Sequence, residues 1–295
     1  MKPEIDPATD LGRPLSFSEA QGYVDVPKPL ALEQLPETAR TLLWSVLYNH
    51  LDDAATGPQP YRSISGGWRT IMHEVHYVHF SRPADEWSPR LDYIARLYKK
   101  RLLEQWTFRE VFDFLLFIMH RTNPDGGFVQ SIKQAFTLER VAYLIVDDGE
   151  VAIVPAATAP EREALARSME EIHQAGLKGA ESHIKESSSC INDGRWAASV
   201  RESIHAVESV ARQICPNAKS LAAALKSLDA GTLHPALRGA FEKLYGYTSD
   251  EQGVRHALLD QDDANVGQDE AVFMLGACAS FASFLWRKHL VGKSA

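Results

Sequence analysis

Cysteine is scarce in this sequence: 295 residues include three, Cys190, Cys215 and Cys278, and none of them forms a C-x-x-C pair. An odd number of isolated cysteines provides neither a disulfide framework nor the ligand spacing of a zinc knuckle. We therefore expect three reduced thiols, mostly buried.

Long apolar runs are missing as well. No stretch of eighteen consecutive apolar residues occurs, and the first twenty residues are polar and contain several prolines. We therefore expect no membrane helix and no signal peptide, and a soluble protein of the cytoplasm. The net charge of −8 argues against a protein that coats nucleic acid nonspecifically, because such a protein needs a broad basic face. A local basic cleft stays compatible with this composition.

Several motifs of common enzyme classes are also absent. The sequence contains no G-x-x-x-x-G-K-[ST], no G-x-G-x-x-G after a strand and no G-x-S-x-G. ATP-dependent, dinucleotide-dependent and serine-hydrolase chemistry therefore have no sequence support. We expect no cofactor and no metal ion.

Apolar periodicity predicts an α-helical N-terminal domain. Between residues 36 and 51, apolar side chains recur at helical spacing, at Ala39, Leu43, Val46, Leu47 and Leu51. Further helices are predicted over residues 68–80, 88–104 and 107–119, and a Gly- and Pro-containing loop over 55–67. The domain is therefore expected to be built mostly from helices.

The pattern changes near residue 141. Apolar residues then alternate on either side of the turn-like sequence DDGE, at Val141, Tyr143, Ile145, Val151 and Ile153. This alternation predicts a small β-hairpin. Pro155 and Pro160 follow the hairpin, so the domain boundary is expected there.

The remainder of the chain predicts a helical bundle. Residues 161–191 read as one long helix that Asn192-Asp193-Gly194 ends. The next helix carries an apolar stripe at alternating gaps of three and four residues, Ala197, Val200, Ile204, Val207, Ala211 and Ile214. The last helix, EAVFMLGACASFASFLWRKHL, is apolar on nearly every face and is expected to be buried centrally or against another subunit. The fold class is therefore mainly α.

Two polar sequences invite a metal interpretation. His73, His76 and His79 lie three residues apart, which on a helix spreads the rings over about 120° and leaves one tetrahedral ion in need of outside ligands. The alternative is a polar, partly buried helix face. The sequence DDGE could hold a cation, but it falls at the predicted hairpin turn and lacks the further ligands of a calcium loop.

The C-terminal half carries a polar stripe beside its apolar one. Arg201, His205, Glu208 and Arg212 recur at gaps of four, three and four residues and share one flank of the helix. They could form a ladder of ion pairs at the edge of the bundle. They could instead face the adjacent pair of Arg255 and His256 across a groove.

Longer stretches of the chain resemble a known family. The sequence FSEAQGYVDVPKPLALEQLPETARTLLWSVLYNHL is similar to the start of proteins with an AbiJ-type N-terminal domain, named for phage abortive infection. The sequences RESIHAVESVARQI, LHPALRGAFEKLYGYTSDEQGVRHALLD and FMLGACASFASFL resemble the HEPN-like domain that accompanies it. On this resemblance, residues 16–158 form the AbiJ-like domain and residues 161–292 the HEPN-like helical domain.

The resemblance implies a bacterial anti-phage role and a C-terminal domain that commonly dimerises. Active HEPN ribonucleases use an arginine separated by four to six residues from a histidine, brought together from two subunits without a metal ion. This sequence departs from that pattern, because residues 260–262 after Arg255 include no histidine and His205 follows Arg201 one residue too closely.

Two functions are compatible with these residues. In the first, the protein is an abortive-infection effector and metal-independent ribonuclease toxin, with His256 and His205 as base and acid and with Arg255 and Arg201 stabilising the developing charge. In the second, it is a noncatalytic HEPN-like sensor that binds a protein or RNA partner of a defence or toxin–antitoxin system.

Overall fold

The computed structural model describes residues 17–24, 30–122, 127–147, 150–156, 158–218, 221–227, 233–250 and 266–294. It is mainly α-helical, with two small two-stranded antiparallel sheets, which confirms the predicted fold class. The contacts divide the chain into two compact units. The first contains Met1–Ile153 and Ala157–Ala159, and the second contains Val154–Ala156 and Pro160–Ala295.

The N-terminal unit contains six α-helices among its described residues: α1 Phe17–Ala20, α2 Glu37–Asp53, α3 Gly66–Glu74, α4 Leu91–Lys100, α5 Phe108–Met119 and α6 Phe128–Leu138. α3 continues as a π-helix over Val75–His79, and α4 continues as a π-helix over Arg101–Gln105. A short 3-10 helix spans Ala84–Glu86. The helices predicted near residues 36–51, 68–80, 88–104 and 107–119 are therefore present. The sequence pattern had predicted no element over α6.

Each of the two sheets is a single pair of strands. β3 Tyr143–Val146 and β4 Ala152–Pro155 form the predicted hairpin. β1 Ala55–Thr56 pairs with β2 Ser63–Ile64 inside the segment predicted as a loop. The Arg62 guanidinium holds this second pair to α2, because it donates to the backbone oxygens of Asp52 at 2.7 Å and of Ala55 at 2.9 Å.

Aromatic rings fill much of the N-terminal core. Tyr98 and Phe114 are fully buried, and the Phe80 ring stacks on Tyr98 and Trp106 at centroid distances of 5.6 and 5.4 Å. A capping box of Thr107 and Glu110 starts α5 and satisfies two backbone N–H groups at its N-terminus. Aromatic packing therefore forms much of this core, and α5 begins with a side-chain cap.

The C-terminal unit also contains six helices among its described residues: α7 Ala159–Gln174, α8 Lys178–Asn192, α9 Trp196–Ile214, α10 Leu221–Ser227, α11 Pro235–Asp250 and α12 Gln268–Ser294. α9 is central, since it packs against α8, α10, α11 and α12. The predicted apolar stripe accounts for this position, because Val200, Ile204, Val207 and Ala211 are all buried.

The prediction of one long helix over residues 161–191 is wrong. The chain breaks between α7 and α8 at Gly176, whose φ of +68° lies in the left-handed region. The N–H of Leu177 donates to the carbonyl of Ile172 at 3.1 Å, and the N–H of Gly176 donates to that of His173 at 2.9 Å. These two bonds form a Schellman-type helix end, for which glycine carries no steric penalty.

α12 is long and apolar enough to cross a membrane by length and composition alone, over Gln268–Val291. Half of that apolar window is buried within the structure, where α12 packs against α8 and α9. The burial expected of this helix is therefore present over half of its apolar window.

Replacing Gly176 with alanine tests the break between α7 and α8. We expect Gly176→Ala to lower the free energy of unfolding by about 1–2 kcal/mol, because the left-handed conformation places Cβ too close to the next carbonyl. The control is Gly239→Ala within α11, where an added Cβ meets no atom within 4 Å. That variant should be neutral or more stable by up to about 1 kcal/mol. Urea unfolding measures both, and equal effects would contradict the proposed strain.

Candidate functional site

One cluster of chemically active side chains lies between α8 and α9. His183 comes from α8, and Glu202 and His205 come from α9. His183 Nδ1 lies 2.8 Å from one oxygen of the Glu202 carboxylate, and His205 Nδ1 lies 3.6 Å from the other. The two imidazole rings are 5.3 Å apart in an edge-on arrangement. One carboxylate therefore serves two imidazoles, and we call these three residues the His183–Glu202–His205 cluster.

A short turn brings the two helices together. α8 ends at Asn192, and Gly194, with φ of +73°, lets the chain reverse before α9 begins at Trp196. The N–H of Arg195 donates to the carbonyl of Cys190 at 2.8 Å, which closes the helix end. The predicted stop at residues 192–194 is thus present, and it makes the two helices antiparallel neighbours.

Buried hydroxyl groups fix the register of the two helices. Ser187 Oγ lies 2.9 Å from Ser199 Oγ and 2.8 Å from Ser203 Oγ, and all three side chains are buried. Ser187 lies one helical turn after His183, and Ser203 follows Glu202 directly. Small side chains allow close approach of the helices, and their mutual hydrogen bonds offset the removal of the hydroxyls from water. This serine layer therefore positions His183 opposite Glu202.

The cluster is half-buried and reachable from solvent. The exposed fractions of the side chains are 38% for His183, 18% for Glu202 and 34% for His205. Partial burial strengthens the interaction of the carboxylate with the rings relative to a fully exposed pair. Such an arrangement can exchange protons with a bound molecule, and its two nitrogens and one oxygen are also ligand types for a transition metal ion.

Two of the four predicted catalytic residues are within the described structure. His205 belongs to the cluster, and Arg201 precedes Glu202 on α9 with its side chain half-buried. Arg255 and His256 lie outside the described residues, so their juxtaposition with α9 stays a prediction. Sequence reasoning did not identify His183 and Glu202.

The last two residues of the polar stripe, Glu208 and Arg212, form an ion pair. Arg212 Nη2 lies 3.7 Å from a carboxylate oxygen of Glu208, at the expected spacing of four residues. Glu208 is largely buried, whereas the Arg212 side chain is 72% exposed. This pair agrees with the interpretation of the polar stripe as a ladder of ion pairs. His205, which belongs to the same stripe, lies nearer to Glu202, with its Nδ1 3.6 Å from a carboxylate oxygen.

The histidines of the N-terminal unit do not converge on one point. The His73 ring contacts Tyr77 and Trp87, and the His79 ring contacts Phe80 and Phe117. His76 is buried, with Nε2 3.0 Å from the carbonyl oxygen of Pro83. Burial lowers the pKa of His79, with Asp113 opposing this effect. These rings form the polar and partly buried helix face that was the alternative to a metal site.

Among the described residues of the predicted hairpin turn, the acidic side chains do not come together around a possible cation site. Asp147 forms an ion pair with Lys133 at 2.6 Å and accepts a hydrogen bond from Gln130 at 3.1 Å. Asp148 and Gly149 lie outside the described residues. The Asp147 carboxylate is therefore engaged by side chains of α6.

Two cysteines, Cys190 and Cys278, are buried and have low reactivity. Burial raises the pKa of the Cys190 thiol to about 11 and that of the Cys278 thiol to about 12. Cys190 lies on α8 with its Sγ 3.7 Å from a carboxylate oxygen of Glu186. Both groups are therefore thiols at neutral pH and poor nucleophiles or metal ligands.

The comparisons with known proteins leave the family open. Family models, curated proteins and solved structures all show no match to this chain. The AbiJ-type and HEPN-like resemblance therefore stays a prediction.

Thiol labelling tests the burial of the cysteines. At pH 8 a thiol-reactive disulfide should label Cys215, which is half-exposed, and leave Cys190 and Cys278 unreacted until the protein unfolds. Cys215→Ala should remove the fast reaction, whereas Cys278→Ala should leave it unchanged. Fast labelling of all three cysteines in the folded protein would contradict this assignment.

Proposed function

We propose that the protein is an abortive-infection effector whose C-terminal unit is a metal-independent ribonuclease, with His183 and His205 as its acid–base pair. The observation that carries the proposal is the placement of two solvent-accessible imidazoles on one carboxylate. Both rings direct Nδ1 toward Glu202. Cleavage of RNA without a metal ion needs a base for the 2′-hydroxyl proton and an acid for the leaving oxygen, and two imidazoles supply both.

Glu202 has a defined part in this chemistry. When the carboxylate accepts the Nδ1–H of a neutral imidazole, the proton is absent from Nε2, which then serves as the base. When the second ring is protonated, its Nε2–H serves as the acid and Glu202 stabilises the positive charge. Glu202 thus acts as a positioning residue for His183 and His205, and the proton exchanges take place at the two Nε2 atoms.

Positive charge near the cluster completes the proposed site. A phosphorane that forms during cleavage is stabilised by fixed cations, and arginine stays protonated at any relevant pH. Arg201 is adjacent to Glu202 in sequence, and Arg255 with His256 are the further candidates from the resemblance. Because the whole chain has a net charge of −8, RNA would be engaged at this local site.

The remaining parts of the proposal come from the family resemblance. The protein would act in the bacterial cytoplasm as a homodimer formed through its C-terminal helical unit. Phe273 and Val291 of α12 are 62% and 66% exposed and are candidates for such an interface. The N-terminal unit would sense infection or a protein partner.

A second function is a noncatalytic sensor that binds a protein or RNA partner of a defence system. The same contacts are compatible with this function, because Glu202 would then pair with both imidazoles as a structural ion-pair cluster between α8 and α9. In that case the cluster contributes to the stability of the helix pair.

Cleavage of RNA by purified variants separates these two functions. We expect His183→Ala and His205→Ala each to slow cleavage of a single-stranded RNA by about 10²–10⁴-fold, because each removes one partner in proton transfer. The matched control is His173→Ala, since His173 also pairs with a glutamate in the same unit, with Nδ1 3.3 Å from Glu181. That variant should cleave at the wild-type rate, and circular dichroism should show that all variants fold.

Two other outcomes would change the assignment. If Arg255→Ala/His256→Ala abolishes cleavage while His183→Ala does not, the site lies at residues 255 and 256. If wild-type protein neither cleaves RNA nor arrests bacterial growth, even during phage challenge, the ribonuclease proposal is wrong and the sensor function is favoured.

A further inference from the structure

We infer that the His183–Glu202–His205 cluster is also a binding site for a divalent transition metal ion such as zinc, and that bound metal switches the ribonuclease off. The inference of a metal site depends only on the geometry of the cluster. The regulatory part rests on the proposed function. A metal site was not predicted from the sequence, because its ligands come from two helices.

The spacing of the donor atoms supports the site. One potential ligand atom from each residue lies within 4.8 Å of the other two. The donors around a tetrahedral zinc ion lie about 3.3 Å apart when each bond is about 2.0 Å long. His183 Nδ1 and His205 Nδ1 lie 2.8 and 3.6 Å from different oxygens of the Glu202 carboxylate, and both distances are close to that value. Small rotations of the side chains therefore suffice to admit an ion.

The chemistry of the ligands is also suitable. Two imidazole nitrogens and one carboxylate oxygen are typical protein ligands of zinc and of other first-row transition metals. Glu202 and His205 are separated by three residues on α9, so both side chains leave the same face of the helix. Three protein ligands leave the fourth position for water or for a group of the substrate.

The surroundings allow a cation to enter. The two imidazoles are about one-third exposed, which provides a path from solvent, whereas Glu202 is more deeply buried. Lys185 lies two residues after His183, and its positive charge is paired with Glu181, whose carboxylate oxygen lies 2.8 Å from the ammonium group. This pairing reduces the repulsion that Lys185 would exert on an entering cation. Among the residues that the structure describes, no other set of three or more histidines, cysteines and acidic residues has this spacing.

Metal binding and proton transfer compete for the same ring atoms. Nδ1 of each ring faces Glu202, which leaves Nε2 as the proposed base. When a metal ion takes Nδ1 of a neutral imidazole, the ring proton must lie on Nε2. A ring in that form carries no lone pair that can accept the 2′-hydroxyl proton. The metal ion would therefore inactivate the base while leaving the fold unchanged.

Calorimetry on the full-length protein, stripped of metal and without a polyhistidine tag, tests the site with zinc chloride as the ligand. We expect one ion per chain for the wild type. Affinity should fall by at least about tenfold in His183→Ala, His205→Ala and Glu202→Gln, since each loses a direct ligand. His173→Ala is the matched control and should bind as the wild type does.

The outcomes separate the metal site from its proposed effect. Absence of zinc binding by the wild type, or equal weakening by His173→Ala, overturns the site. If zinc binds but RNA cleavage is the same with zinc and with a chelator, the site stands and the switch is overturned. If the protein binds zinc and never cleaves RNA, the metal site stands, and the ribonuclease and its regulation are rejected together. Inhibition by zinc that a chelator reverses supports both parts.

Discussion

Close contact between α8 and α9 is the constraint on which the C-terminal site depends. Glu202 serves both His183 and His205 because the chain reverses at Gly194 and because the buried hydroxyls of Ser187, Ser199 and Ser203 hold the helices in one register. A shift of one residue along either helix would turn a side chain by about 100° and separate His183 from the carboxylate.

The position of one proton connects the two proposed properties of this cluster. With Nδ1–H directed at Glu202, each imidazole presents Nε2 for proton exchange, as a metal-independent ribonuclease needs. With a metal ion on Nδ1, the proton moves to Nε2 and the base is lost. The same three side chains therefore support an active and an inactive state without rearrangement of the helices.

The two units differ in how they use histidine. In the N-terminal unit, the His73 and His79 rings pack against aromatic side chains, and His76 has one ring nitrogen 3.0 Å from a backbone oxygen. In the C-terminal unit, His183 and His205 share a carboxylate near the surface. The sequence shows histidines in both units. Only the surroundings of each ring in the structure show whether it packs against aromatic side chains or pairs with a carboxylate near the surface.

Local patterns were enough to predict the helical class, the β3–β4 hairpin and the buried face of α9, because the periodicity of apolar residues reflects contacts repeated along one element. The same patterns did not predict α6, although Phe128, Val129, Ile132, Ala135 and Phe136 are buried at helical spacing, and they joined α7 to α8 across Gly176. Local sequence patterns could not predict that His183 contacts Glu202. It joins residues 19 positions apart on different helices, and it follows from the turn and serine layer that set how those helices pack.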